Sequence, residues 1–223
     1  MNRRVLFGAL TAAGLTALSG CLSFAGLTEH EASPVAASAS ARTETGYRVA
    51  NIETMTYEDD VDLFVTSETV RVDNYVVEHE KTLSAGPVTD EPAAVFYTLS
   101  TPAATVAGHE INPLTKIPTN ELVQVAAESD AQFQHTRRLA DEQTTVHDQS
   151  TEETIFSAEG RFGSELIDVR LHVTEAVDVG DDLVITIGAY PATLEDEERA
   201  NVETLRESLS TDVDPDKLDD EED

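Results

Sequence analysis

Val179-Gly180-Asp181-Asp182-Leu183-Val184-Ile185-Thr186-Ile187 is the stretch on which the fold turns. Four β-branched residues in a row favour extended backbone, and the Gly-Asp step ahead of them supplies the turn that starts a hairpin. Working back toward the N-terminus, Leu166 to Val173 and Thr154 to Phe162 alternate apolar with polar residues and are joined through Gly160 and Gly163. That period of two marks strands with one face turned to a core. Further upstream, Ala93 to Leu99 is a short apolar run closed by Thr101-Pro102. Tyr47 to Glu53 and Val70 to Glu78 alternate again. Two other segments carry helical spacing. Thr119 is placed to cap Asn120 to Ala127, with Leu122, Val123 and Ala126 on one face. Thr193 is placed to cap Leu194 to Leu209, with Glu195, Asp196 and Glu197 at the positive end of the helix dipole and Val202, Leu205 and Leu209 as the inward stripe. The pattern predicts an α+β domain over residues 45–210, a mostly antiparallel sheet of about six strands covered by two or three helices.

The 223 residues leave room for one such domain and two terminal segments. Hydrophobic residues make up 40% and aromatic residues 5%, with no Trp, so the core is predicted to be built from Val, Leu, Ile and Ala. Forty-four acidic against 14 basic residues give a net charge of −30. Self-repulsion on that scale disfavours compaction at ordinary ionic strength, whereas at 1 M salt the screening length falls to about 3 Å. The surface suits concentrated salt; an acidic protein of ordinary habitat or a disordered chain is the competing reading. Nucleic acid is disfavoured as a partner, because Arg137-Arg138 is the one adjacent basic pair outside the N-terminus.

Residues 1–20 have the three parts of an export signal: Arg3-Arg4, an apolar run from Val5 to Leu18, and small residues before Cys21. The paired arginines resemble a twin-arginine signal, although Asn2 and Leu6 depart from its usual flanks. Leu18-Ser19-Gly20-Cys21 looks like a lipobox, and Cys21 is the only cysteine, so its thiol is read as the site of lipid attachment on the outer face of the cytoplasmic membrane. The alternative is an uncleaved membrane helix, since no charge stands between Arg4 and Glu29. Residues 21–44, rich in Ser and Ala, read as a tether, within which a short helix over Val35 to Arg42 is compatible. Residues 211–223 read as a solvated acidic tail, with a cation-binding or partner-binding role as the alternative.

Chemistry is thinly marked. The six histidines have no metal-ligand spacing, and there is no Gly-x-Ser-x-Gly elbow and no phosphate-binding glycine loop. No catalytic residue, metal or cofactor is predicted. His172 alternates with Leu171 and Val173 and reads as a residue of one sheet face. The segment Pro102 to Pro113, holding His109, Glu110 and Asn112, reads as a rigid crossover whose exposed loop is the candidate binding rim. His109 and Glu110 would serve the alternative reading, an envelope enzyme with a His/carboxylate cleft. A solute-binding receptor is disfavoured because such receptors use two lobes.

Several stretches together resemble a DUF6517-like family of haloarchaeal lipoproteins: Leu18-Ser19-Gly20-Cys21, Val72-Asp73-Asn74-Tyr75, the block from Ser100-Thr101-Pro102 to Asn112-Pro113-Leu114, and Thr174-Glu175 with Gly180. The likeness spans most of residues 1 to 190. It implies an exported, lipid-anchored protein of the cell surface and attaches no activity to it. A more distant similarity is to the Mog1/PsbP-like fold, in which a sheet is followed by a C-terminal helix ending near a Glu-Ser-Leu, here Glu207-Ser208-Leu209. That resemblance implies a non-catalytic binding or assembly module with a protein partner at the cell surface.

Overall fold

The computed structural model describes residues 29–63, 66–85, 88–103, 105–106, 109–110, 133–162 and 165–213. In chain order the elements are β1 (Glu29–Glu31), β2 (Ala36–Ala37), α1 (Ala39–Thr45), β3 (Arg48–Leu63), β4 (Thr66–Ala85), β5 (Val88–Pro102), β6 (Thr105–Val106), β7 (His109–Glu110), β8 (Gln134–Val146), β9 (Gln149–Phe162), β10 (Glu165–Thr174), β11 (Val177–Val179) and β12 (Asp182–Pro191). A 3-10 turn at Ala192–Leu194 leads into α2 (Glu195–Glu207), and β13 (Leu209–Ser210) follows.

The decisive strand is there as β12, and it lies inside the sheet between β5 and β10. Val179 faces Asp182 across the two-residue turn Gly180-Asp181. Gly180 has φ 64°, which a glycine tolerates freely at the first central position of such a hairpin. The main path runs β3-β4-β5-β12-β10-β9-β8, all neighbours antiparallel, with β11 beside β12 and β1 parallel to β4.

This corrects the predicted class. The expectation was α+β, about six strands under two or three helices. The sheet is nine-stranded and mixed, with two α-helices among the described residues, so the protein is mostly β. Three things were hidden. β8 is exposed along most of its length, so it has no alternating apolar signature. Register shifts at Gln134/Arg137 and Arg138/Ala140 break its period further. β1 and β11 are three-residue strands that a pattern search passes over.

The domain also begins earlier than the patterning predicts. Within the Ser/Ala-rich segment read as a tether, Ala32, Val35, Ala36, Ala37 and Ala41 are buried. Small side chains let this strap lie flat across the sheet, where Ser100 Oγ donates to the Ser33 carbonyl at 2.6 Å and the Thr98 hydroxyl to that of Val35. Ser38 caps α1, which ends on Gly46 at φ 78°. β2 then pairs with β13, Ala37 opposite Leu209, tying the two ends of the described fold together.

Helix α2 starts after the 3-10 turn, so Thr193 is not its cap, and it ends at Glu207, leaving Leu209 in β13. Its apolar stripe, Val202 and Leu205, packs with Tyr47, Ala94, Phe96, Val184 and Tyr190. Tyr97, Leu99, Leu171, Val173, Ile185 and Ile187 form a second cluster on the opposite sheet face. Close approach of α2 depends on Gly188, where an added Cβ would lie 2.9 Å from Val202 Cγ2. Gly188→Ala is therefore expected to push the helix outward and lower unfolding stability by about 1–3 kcal/mol, measured by urea titration at fixed salt. The same substitution at exposed Gly180, where an added Cβ would lie 3.7 Å from Thr211 Cγ2, acts through backbone strain instead.

Candidate functional site

Among the described residues, a buried cluster of titratable side chains lies between α2 and the sheet. Alternation along β9, β10 and β12 brings Glu153, His172, Thr174, Thr186 and Tyr190 to the face that α2 covers. From the last turn of α2, Arg206 reaches down to meet them. Its Nη1 pairs with Glu153 Oε2, its Nε donates to Thr186 Oγ1 at 3.0 Å, and its Nη2 donates to the His172 carbonyl at 3.3 Å. Glu153 Oε1 lies 2.7 Å from His172 Nδ1, and His172 Nε2 lies 2.6 Å from the Tyr190 hydroxyl. Because a carboxylate only accepts, Nδ1 carries the ring proton; in the neutral ring Nε2 then accepts from Tyr190. Burial pushes the Glu153 carboxyl up, but the His172 hydrogen bond and the charge of Arg206 outweigh it and hold the group at about 2.

A Tyr-His-Glu series has the order of a proton relay, a hydroxyl followed by a base and a carboxylate that orients the base. Access and electronics both oppose that use. Tyr190 is 0%, His172 1%, Arg206 1% and Glu153 2% exposed. Burial first, and the Glu195 charge next, push the Tyr190 phenol well above its ordinary value, the opposite of an activated nucleophile. Each polar end already has its partner, so the cluster works as a polar clamp from helix to sheet.

A second cluster holds the other end of α2. Glu198 is fully buried in the first turn; Lys81 Nζ lies 2.6 Å from its Oε1 and the Tyr47 hydroxyl donates to its Oε2 at 3.0 Å. Burial, with Glu198 adding to it, raises the Tyr47 phenol well above its usual value. Lys81 also sits 5.7 Å over the Tyr47 ring. Between strap and sheet stands His79, 0% exposed. Its Nε2 accepts the Ala37 N–H at 3.2 Å, so its Nδ1–H donates to the Phe96 carbonyl at 2.9 Å. Burial lowers its pKa to about 4, against the Phe96 hydrogen bond, which pulls it up.

The sequence-derived candidates fall elsewhere. Pro102 ends β5, buried and opposite Asp182. His109 and Glu110 form β7, which pairs with β6 in a two-stranded sheet apart from the main one. Asn112 and Pro113 lie outside the described residues, as do Arg3, Arg4, Leu18, Ser19, Gly20, Cys21 and the helix expected over Asn120 to Ala127. Among the described residues no three His, Cys, Asp or Glu side chains converge as a metal would require. No described helix is long and apolar enough to cross a membrane.

Sequence reading passed over Glu153, Tyr190, Glu198 and Arg206. One signal was available: Glu198, Val202, Leu205 and Arg206 share the i, i+4, i+7, i+8 spacing of a buried helix face, which puts two charges at core positions. Charged residues at such positions are retained only with partners.

A family model described as "Domain of unknown function (DUF6517)" matches residues 34–210. No curated protein matches the chain. Among solved structures, the cyanobacterial PsbP (CyanoP) of Synechocystis sp. PCC 6803 is similar at 10% identity and a TM-score of 0.32, covering 91% of this chain and 97% of that one.

Proposed function

We propose that this chain, which belongs to the DUF6517 family, is a non-catalytic binding or assembly module, anchored by lipid to the outer face of a haloarchaeal membrane. The observation that carries the non-catalytic part is the sealed clamp at Glu153, His172, Tyr190 and Arg206. The groups best ordered for chemistry have no route to a substrate and are saturated by one another. Among the described residues, the acid-rich edge strand β3 and the long β3–β4 hairpin offer a contact surface. The address rests on the sequence: Leu18-Ser19-Gly20-Cys21 behind an apolar run, and a net charge of −30 that favours high salt.

Three measurements test this reading. Intact mass of the native product is expected to show a chain starting at Cys21 with added hydrocarbon, and Cys21→Ser is expected to send the protein to the medium or leave a precursor. Unchanged retention after detergent-free washing would count against the anchor. In-cell cross-linking at native salt is expected to trap one defined partner equally with the wild type and with Tyr190→Phe, because the phenol's role is internal. A chain recovered only as an uncomplexed monomer would remove the assembly reading.

A further inference from the structure

Among the described residues the main sheet ends on β3 at one side and β8 at the other, and the two edges are built differently. β8 is broken by register shifts at Gln134/Arg137 and Arg138/Ala140, and His135 stands at φ 53°. Bulges of that kind twist an edge away from a second strand. β3 has one shift, between Val49 and Asn51, and from there its register against β4 runs unbroken to the end of the strand. Among the described residues no strand lies along its other side. Alternate residues of such an edge hold N–H and C=O groups ready for another strand.

The side chains fit the same use. Asn51-Ile52-Glu53-Thr54-Met55-Thr56-Tyr57 holds Glu53 as its one charge, in a chain whose charged residues make up 26%. It contains no Pro or Gly, and Ile, Thr and Tyr favour strands. Met55 and Tyr57 are large hydrophobic residues left 38% and 43% exposed, and as alternate residues of one strand they share a sheet face. A regular, weakly charged edge strand pairs with another chain unless something covers it.

Charge along β3 says which chain. Acids crowd toward its second half, at Glu58, Asp59 and Asp60, whereas Asn51 to Tyr57 holds Glu53 alone. Two copies laid parallel and in register would set each acid beside itself. An antiparallel pair about a two-fold axis at Met55 sets Met55 opposite the partner's Met55, Thr54 opposite the partner's Thr56, Glu53 opposite the partner's Tyr57 and Ile52 opposite the partner's Glu58. No two acids then face each other directly, which is the destabilising arrangement. Met55 and Tyr57 of both copies meet as one apolar patch across the axis. Pairing from Asn51 to Asp59 supplies on the order of ten main-chain hydrogen bonds, as many as a standard interface carries.

Resting on the assembly reading and naming its partner, we infer that β3 is a homodimer interface, at which a second copy of this chain adds its own β3 antiparallel, centred on Met55, and joins the two sheets into one. Copies of net charge −30 repel each other, so the contact forms at molar salt, where the screening length is about 3 Å.

The test uses the full-length chain carrying Cys21→Ser, which leaves no thiol of its own. At molar salt, sedimentation equilibrium is expected to give twice the chain mass. Met55→Cys is expected to form an intermolecular disulfide with oxidised glutathione, because directly opposed residues of an antiparallel pair lie about 4.5–5.5 Å apart between Cα atoms, within disulfide reach. Glu53→Cys alone is expected not to, since position 53 of one copy stands four residues from position 53 of the other, about 13 Å along the strands; mixed with Tyr57→Cys it is expected to cross-link. Met55→Glu sets two carboxylates at the axis and is expected to weaken the dimer at least ten-fold, with an unchanged urea midpoint for the monomer showing that the fold is intact. A monomer throughout, polymers built from β3 meeting β8, or a dimer that ignores Met55→Glu or fails to cross-link at position 55 would each overturn the β3 contact. The assembly reading survives such a result if in-cell cross-linking still traps a different protein, and falls with it if nothing is trapped.

Discussion

Arg206→Met is expected to cost about 3–5 kcal/mol of unfolding free energy, because it leaves the Glu153 carboxylate buried without its guanidinium partner. Urea titration followed by circular dichroism at one fixed molar salt concentration measures it. Arg206 and Glu153 are 1% and 2% exposed, so neither water nor salt screens the survivor. The exposed pair Arg138–Asp141 supplies the contrast: with side chains 59% and 38% exposed, Arg138→Met should change stability by less than about 1 kcal/mol. The double variant Arg206→Met/Glu153→Gln should be less damaged than the sum of its single variants, since the second change removes the orphaned charge. Strict additivity would mean that the ion pair does not couple helix to sheet.

Acid should act first on the strap. His79 has a folded-state pKa of about 4 against an unfolded value of about 6.5, so the unfolded chain takes up the proton first. Stability from this group is whole above about pH 6.5 and is lost as pH falls toward 4, on the order of 3 kcal/mol in all. Below that window Glu153, held at about 2, adds a further loss as pH drops from its unfolded value of 4.5. The two are separable. His79→Gln should flatten the pH dependence of stability between 6.5 and 4 while leaving the steeper acid limb, and a slope unchanged in that variant would exclude His79 as its source. The physical event is specific: a proton on Nε2 expels the Ala37 N–H, and with it the β2–β13 pairing that begins at that residue.

The central strand and its turn were legible because Val184 to Ile187 are all β-branched and are preceded by the Gly180 turn. His172 was rightly placed on a sheet face by its alternation with Leu171 and Val173. What failed to show in the sequence failed for physical reasons. Edge strand β8 gains its order from hydrogen bonds to β9, which any side chains allow, so Arg137, Arg138 and Glu142 left no mark of it. The strap of Ala32 to Ala37 looks like a linker because tight packing against Thr98 and His79 requires small residues, the same ones a linker would use. Among 44 acidic residues, Glu153 and Glu198 become distinct when depth is known, and depth comes from three dimensions. The candidate rim at Pro102 to Pro113 drew notice through its prolines, and Asn112 and Pro113 lie outside the described residues.

The position of β12 also bears on how the protein is made. The strand that joins the β3-β4-β5 meander to the β8-β9-β10 meander leaves the ribosome after both of them, and β13, which locks down the first strap, follows it. Until residue 191 has emerged, β5 and β10 each hold an open edge able to recruit a neighbouring chain. Folding is therefore a non-local event, slow by the measure of small helical proteins, and the nascent chain has to be kept apart from its copies until β12 is in place.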